Sequence, residues 1–151
     1  MQKKCNRCKK DYKYSISNDM INRINLKRRD DMQDQDLVLR IATKLYERKA
    51  ADIIVLKVGH LTVLCEYMVI ASARTAAQVT ALTDAVDELM AQNGVPLRRS
   101  EGSREGRWAV LDYGHIMVHV FHRDERAYYG LDRLWNDGTN QLDLPFDQTG
   151  D

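Results

Sequence analysis

Three cysteines, four histidines and a sparse scatter of carboxylates are the groups through which this chain could do covalent or metal chemistry. Cys5 and Cys8 have the spacing of half a zinc site. A tetrahedral zinc centre takes four ligands, no second pair follows, and the nearest histidine is His60. Two free thiols are the favoured reading, and zinc shared between two chains is the alternative. His115, His119 and His122 cluster in sequence. Strand alternation puts 115 and 119 on one face and 122 on the other, with no carboxylate beside the pair to complete a metal set. His119 lies in the apolar run Val118 to Phe121, which suits a half-buried histidine. Cys65 would need a cationic or helix-terminal setting to become a nucleophile. Its actual setting, Val63 to Val69, reads as the start of a strand, so an inert buried thiol is expected. No glycine-rich phosphate loop appears, and no strand carries two acids at alternate positions. Nucleotide and two-metal chemistry therefore find little support. No metal or other cofactor is implied.

The denser signal is aromatic and charged. Trp108, Tyr113, Phe121, Tyr128, Tyr129 and Trp135 crowd one stretch of a chain with 7% aromatics overall. Arg126 lies among them, and Glu101-Gly102 sits in a charged loop just ahead. Part of this set belongs in a core, and part reads as an anchor patch, because Trp, Tyr and Arg dominate interface hot spots.

The elements that must position these residues follow from periodicity. Leu37, Ile41, Leu45 and Tyr46 recur at helical spacing between Met32 and Lys49. Residues 51–58 are β-branched and end at Gly59, and Tyr67 to Ala71 form a second buried strand. Ser72 or Thr75 can cap a helix that runs to about Gln92, with Gly94 as its stop. Residues 96–100 are a candidate third strand. Trp108 to Leu111 and Ile116 to Phe121 are the fourth and fifth, joined as a hairpin through Asp112 to His115. One or two short helices span 124–136, and the segment from Asp137 is expected to fray. The order α-β-β-α-β-β-β-α predicts a single α/β domain with a mixed β-sheet flanked by helices. The domain is expected over 32–137, between a flexible basic extension, 1–31, and a flexible tail, 138–151.

Charge is divided unevenly. Residues 1–31 hold ten Lys/Arg and four Asp/Glu, a sum of +6, whereas residues 32–151 hold thirteen and eighteen, a sum of −5. An acidic body argues against bare nucleic acid as its direct ligand and suits a basic protein. Residues 1–31 read either as a native tail or as an upstream extension of a frame that starts at Met32. The free thiols suit a reducing cytosol, and neither a membrane span nor a secretory signal is seen.

Read in order, Asp52-Ile-Ile-Val-Leu56, Tyr67 to Ser72, Gln78-Val79, Glu101-Gly102, Trp108, Leu111-Asp112-Tyr113-Gly114, Val118 to Phe121, Arg126 with Tyr129, and Leu131-Asp132 with Leu134-Trp135 resemble the ribosomal silencing factor family, also called the Iojap-related family. The resemblance covers about residues 33 to 137. It implies a nucleotidyltransferase-like fold without transferase chemistry. It also implies a cytoplasmic factor that binds the large ribosomal subunit through ribosomal protein fourteen, blocks association with the small subunit, and represses translation when nutrients are scarce. Free members are similar in forming homodimers. The partner-facing residues it suggests are Glu101, Trp108, Leu111, Asp112, Arg126 and Tyr129. The basic tail lies outside the resemblance, and its charge suits a weak further contact to ribosomal RNA. Two departures touch loop geometry: Glu66 stands where the family has Asp just before the second strand, and Ser72-Ala73-Arg74-Thr75 stands for Thr-Gly-x-Ser after it. The alternative is a nucleotide-binding enzyme of nucleotidyltransferase type.

Overall fold

A computed structural model describes Arg23 and residues 30–148 of the 151-residue chain. Two compact units are distinguished, Met1–Gln33 and Asp34–Asp151. In the first, the described residues are helical. Cys5 and Cys8, and with them the question of a half zinc site, lie outside the described residues.

The second unit is built on a mixed five-stranded sheet flanked by helices. Helix α1 covers residues 34–47 of this unit. Strands β1 (Ala51–Lys57) and β2 (Tyr67–Ala73) are followed by helix α2 (Ala76–Gln92). Then come β3 (Arg99–Glu101), β4 (Trp108–Asp112), β5 (Ile116–His122), α3 (Arg123–Tyr129) and α4 (Leu131–Trp135). The strand order is β1-β2-β5-β4-β3. Only β2 and β5 run parallel; the other neighbours are antiparallel.

Each face of the sheet carries its own apolar layer because side chains alternate along a strand. Ile53, Val55, Tyr67, Val69, Ala71, Ala109, Leu111, Val118 and Val120 meet α1 and α2. Both helices present stripes at i, i+3/i+4, i+7 spacing: Val38, Ile41 and Leu45 from one, Val79, Leu82, Val86 and Met90 from the other. On the opposite face Leu56, Met68, Ile70 and Phe121 pack with Leu131 and Trp135 of α4. β2, covered on both sides, is buried along its whole length.

Local chemistry sets the element ends. The Thr75 hydroxyl accepts from the Gln78 amide at 3.1 Å and caps α2. Ser72, the other candidate cap, remains in β2. The β4–β5 turn closes at Gly114, whose φ of +91° is costly for any L side chain, while the Asp112 carboxylate accepts its amide at 2.8 Å. β3 is shorter and later than residues 96–100 would suggest: Pro96 has no amide to donate, and pairing with β4 begins only at Arg99.

The segment from Asp137 departs from the fraying tail expected of it. Residues 140–148 run beside the outer edge of β1. Lys57 N–H donates to Asn140 O at 2.8 Å, Leu142 N–H to Val55 O at 2.9 Å, and the Gln148 amide exchanges two bonds with Ile53. Phe146 stacks on Tyr46 at 4.3 Å. The reason is the edge itself: an outer strand offers unpaired N–H and C=O groups that gain from any covering chain.

Candidate protein-docking site

The α3–α4 layer packs over β2 and β5 on its face of the sheet. Register across the strands orders that face from this covered part to the outer strands β4 and β3. Glu101 lies opposite Val110, Val110 opposite His119, and His119 beside Ile70. One row along, Trp108 lies opposite Phe121, which neighbours Ser72. A third row holds Arg99, Asp112, Met117 and Met68. Trp108, Val110, Asp112 and Met117 are half-buried, and Arg99 and Glu101 are exposed.

Trp108 is held in place from several sides. Its ring stacks on Phe121 at 4.9 Å and meets Tyr129 at 4.6 Å. Its indole N–H donates to His119 Nδ1 at 3.2 Å. That bond makes Nδ1 the acceptor, so Nε2 carries the proton of the neutral ring. His119 Nε2 is buried without a partner. Burial pushes the His119 pKa down to about 4, which keeps the ring neutral at physiological pH and preserves the indole bond. Tyr129 in turn meets Tyr128 edge-on at 5.1 Å, and Tyr128 is 82% exposed. The result is an aromatic run that starts in the core at Phe121 and reaches solvent at Tyr128.

The six residues suggested by resemblance separate in space. Trp108 is half-buried, Tyr129 and Glu101 are exposed, and Glu101 pairs with Arg99 at 3.0 Å on the outermost strand. Asp112 points to the same face but is partly occupied by its turn. Leu111 is corrected: it is 2% exposed and packs in the α1–α2 core. Alternation forces this, since a strand that shows Trp108 and Asp112 on one face must turn Leu111 to the other. Arg126 is corrected likewise. It is 8% exposed, and its Nη1 donates to the Asp52 carbonyl and to Ser72 Oγ. Leu111 lies behind the Trp108 face, whereas Arg126 lies beside it, at the Ser72 end of the same face.

Some contributors had weaker signals. Val110 shares Trp108's face, which period-two counting from Trp108 could have found; Met117 joins that face only through the β4–β5 register. His119's hold on Trp108 depends on a cross-strand register that no local pattern encodes. Tyr113, one of the crowded aromatics, is 3% exposed; its hydroxyl donates to the Asp87 carboxylate at 3.1 Å, and burial raises its pKa. His115 is exposed and His122 caps α3, so the histidine cluster disperses.

Catalytic or metal constellations are few among the described residues. No group of three or more His, Cys, Asp or Glu could hold a metal ion there. Cys65 is buried, and burial together with Asp112 and Glu66 pushes its thiol up to about 11, far from an activated nucleophile. No described helix is long and apolar enough to cross a membrane.

Known proteins agree with this architecture. A family model described as "Ribosomal silencing factor during starvation" matches residues 31–150. The ribosomal silencing factor of Bacillus subtilis is 34% identical over 105 residues, 69% of this chain and 89% of that protein. That of Halalkalibacterium halodurans is 31% identical over 106 residues, 70% of this chain and 91% of its own length. A crystal structure of a Chromobacterium violaceum protein superposes with a TM-score of 0.65 at 30% identity, covering 76% of this chain and 94% of that one. With its mixed five-stranded sheet and its surface-reaching aromatic run, this chain belongs to the ribosomal silencing factor family.

Proposed function

We propose that this chain docks on the large ribosomal subunit through ribosomal protein fourteen and sterically prevents the small subunit from joining, so that translation falls under nutrient limitation. Family membership supplies the ribosomal context. The observation that carries the site is the aromatic run Phe121–Trp108–Tyr129–Tyr128, which leaves the core and ends in solvent, on a sheet face whose outermost strand carries the exposed Glu101. A rigid Trp/Tyr anchor has little conformational entropy left to lose on binding, and a flanking carboxylate selects a basic partner. No bond need be made or broken for the factor to act: occupying the joining surface is enough. The free protein is proposed to be a cytoplasmic homodimer, and the basic residues 1–31 to add a salt-sensitive contact to ribosomal RNA.

The test is co-sedimentation with separated subunits. The chain is expected to pellet with the large subunit and not with the small one. Trp108→Ala, which removes a central anchor, should weaken pelleting by roughly 30- to 1000-fold, the range of about 2–4 kcal/mol typical of a hot spot. Glu101→Arg should weaken it while the circular dichroism spectrum stays unchanged. Undiminished pelleting of both variants would move the docking surface elsewhere.

A further inference from the structure

β2 and β5 lie side by side and parallel, yet the chain leaves their C-terminal ends toward opposite faces. After β2 it forms α2, which packs on the Val69 face; after β5 it forms α3 and α4 on the Ile70 face. Parallel strands whose connections diverge in this way leave a crevice beyond their carboxyl ends, where open α/β sheets place their ligands. Here that crevice is a cavity of about 230 Å³. Its charged and polar walls are Asp52, Ser72, Arg123, Arg126, Asp132 and Arg133.

Arg126 is the built element. It is 8% exposed, and both of its bonds, to the Asp52 carbonyl and to Ser72 Oγ, are made by Nη1. Asp52 turns its carbonyl inward by adopting φ +49° at a bulge in β1. Nη2 and Nε donate to no described residue, and neither is sealed from solvent. Arg123 and Arg133 stand exposed at the same walls. Among the lining residues three guanidiniums face the Asp52 and Asp132 carboxylates, and Asp124, 3.9 Å from Arg123 Nε, sits outside the lining, so the walls themselves are net positive. A tetrahedral oxyanion can offer an oxygen to each guanidinium, which a planar carboxylate with two oxygens cannot. The volume is below the roughly 300 Å³ at which pockets take a whole drug-sized molecule, so it fits an end group.

We propose that this crevice binds the phosphate or pyrophosphate end of a small ligand, with Arg126 as the pre-positioned donor and Arg123 and Arg133 closing on it. The proposal is independent of docking on the ribosome, because the Arg123–Arg133 walls are distinct from Trp108 and Glu101.

Isothermal titration of the full chain with inorganic phosphate and with pyrophosphate, at low salt and without magnesium, tests it. One saturable site is expected, tighter for pyrophosphate. The Arg123→Ala/Arg133→Ala double variant, which changes only exposed side chains, should bind at least about tenfold more weakly, as expected for losing charge-assisted hydrogen bonds. Asp132→Asn should bind more tightly, since it removes a competing carboxylate; a purely structural cluster would not respond so. Trp108→Ala should bind as the parent does. Absence of a saturable site overturns the proposal. So does undiminished binding by the double variant, which would locate the anion on the ten Lys/Arg of residues 1–31.

Discussion

His119 shows how one side chain sets both the geometry and the pH response of the docking surface. It must stay neutral to accept the Trp108 indole bond, and burial holds its folded pKa at about 4, below the ordinary histidine value of 6.5. The unfolded chain therefore binds the proton first. Stability that is complete above pH 6.5 should decline as pH falls toward 4, by up to about 3 kcal/mol at roughly 1.4 kcal/mol per pKa unit. Urea unfolding from pH 7 to 4 is expected to show this limb, and His119→Gln, which does not titrate, should flatten it. Docking is expected to weaken only at the bottom of that window, near pH 4, where the folded ring itself protonates, cannot accept at Nδ1 and releases Trp108. Equal pH slopes for the two proteins would show that other groups carry the acid response.

At the level of elements, the C-terminal segment acts as the sheet's edge guard. Asn140, 6% exposed, donates to Lys57 O at 3.0 Å and to Trp135 O at 2.8 Å, and its side-chain oxygen accepts from the Asp137 amide at 3.0 Å. One amide thus ties α4, the turn after it and β1 together. Asn140→Ala strands three part-buried partners and should cost about 1–3 kcal/mol in denaturant unfolding. Removing residues 140–151 should do more: it bares the β1 edge, and soluble aggregates should appear on size-exclusion chromatography. Cap loss at α2 is a milder test, with Thr75→Ala expected to cost about 1 kcal/mol. A tail whose removal changed neither stability nor aggregation would be an ornament on the fold, not part of it.

For the sheet-bearing unit as a whole, α1 and α2 cover one face, while among the described residues Trp108, Val110, Asp112 and Met117 stay half-buried on the other, where a partner could dock. A steric factor of this kind should inhibit subunit re-association stoichiometrically, with light scattering falling until one chain is present per large subunit. A chain lacking residues 1–31 should still pellet with the large subunit. Its binding should fall less steeply with salt than the full chain's, because fewer phosphate contacts are neutralised. Unchanged salt dependence would remove ribosomal RNA contact from the tail's role. What the sequence determined by itself were the features that depend on neighbours along the chain: helical stripes in α1 and α2, the β4–β5 hairpin with its turn at Gly114, the divided charge, and motifs distinctive enough to resemble a family. Alternation within β4 already contained the inward turn of Leu111. Tertiary structure decided what depends on register and on distant partners. It paired β2 with β5 in parallel, set His119 under the Trp108 indole, buried Arg126 against Asp52 and Ser72, and seated residues 140–148 on β1. Those contacts join residues up to 95 positions apart. Local propensity does not encode them, because each becomes favourable only once the sheet has assembled and the edges and buried polar groups it creates need partners.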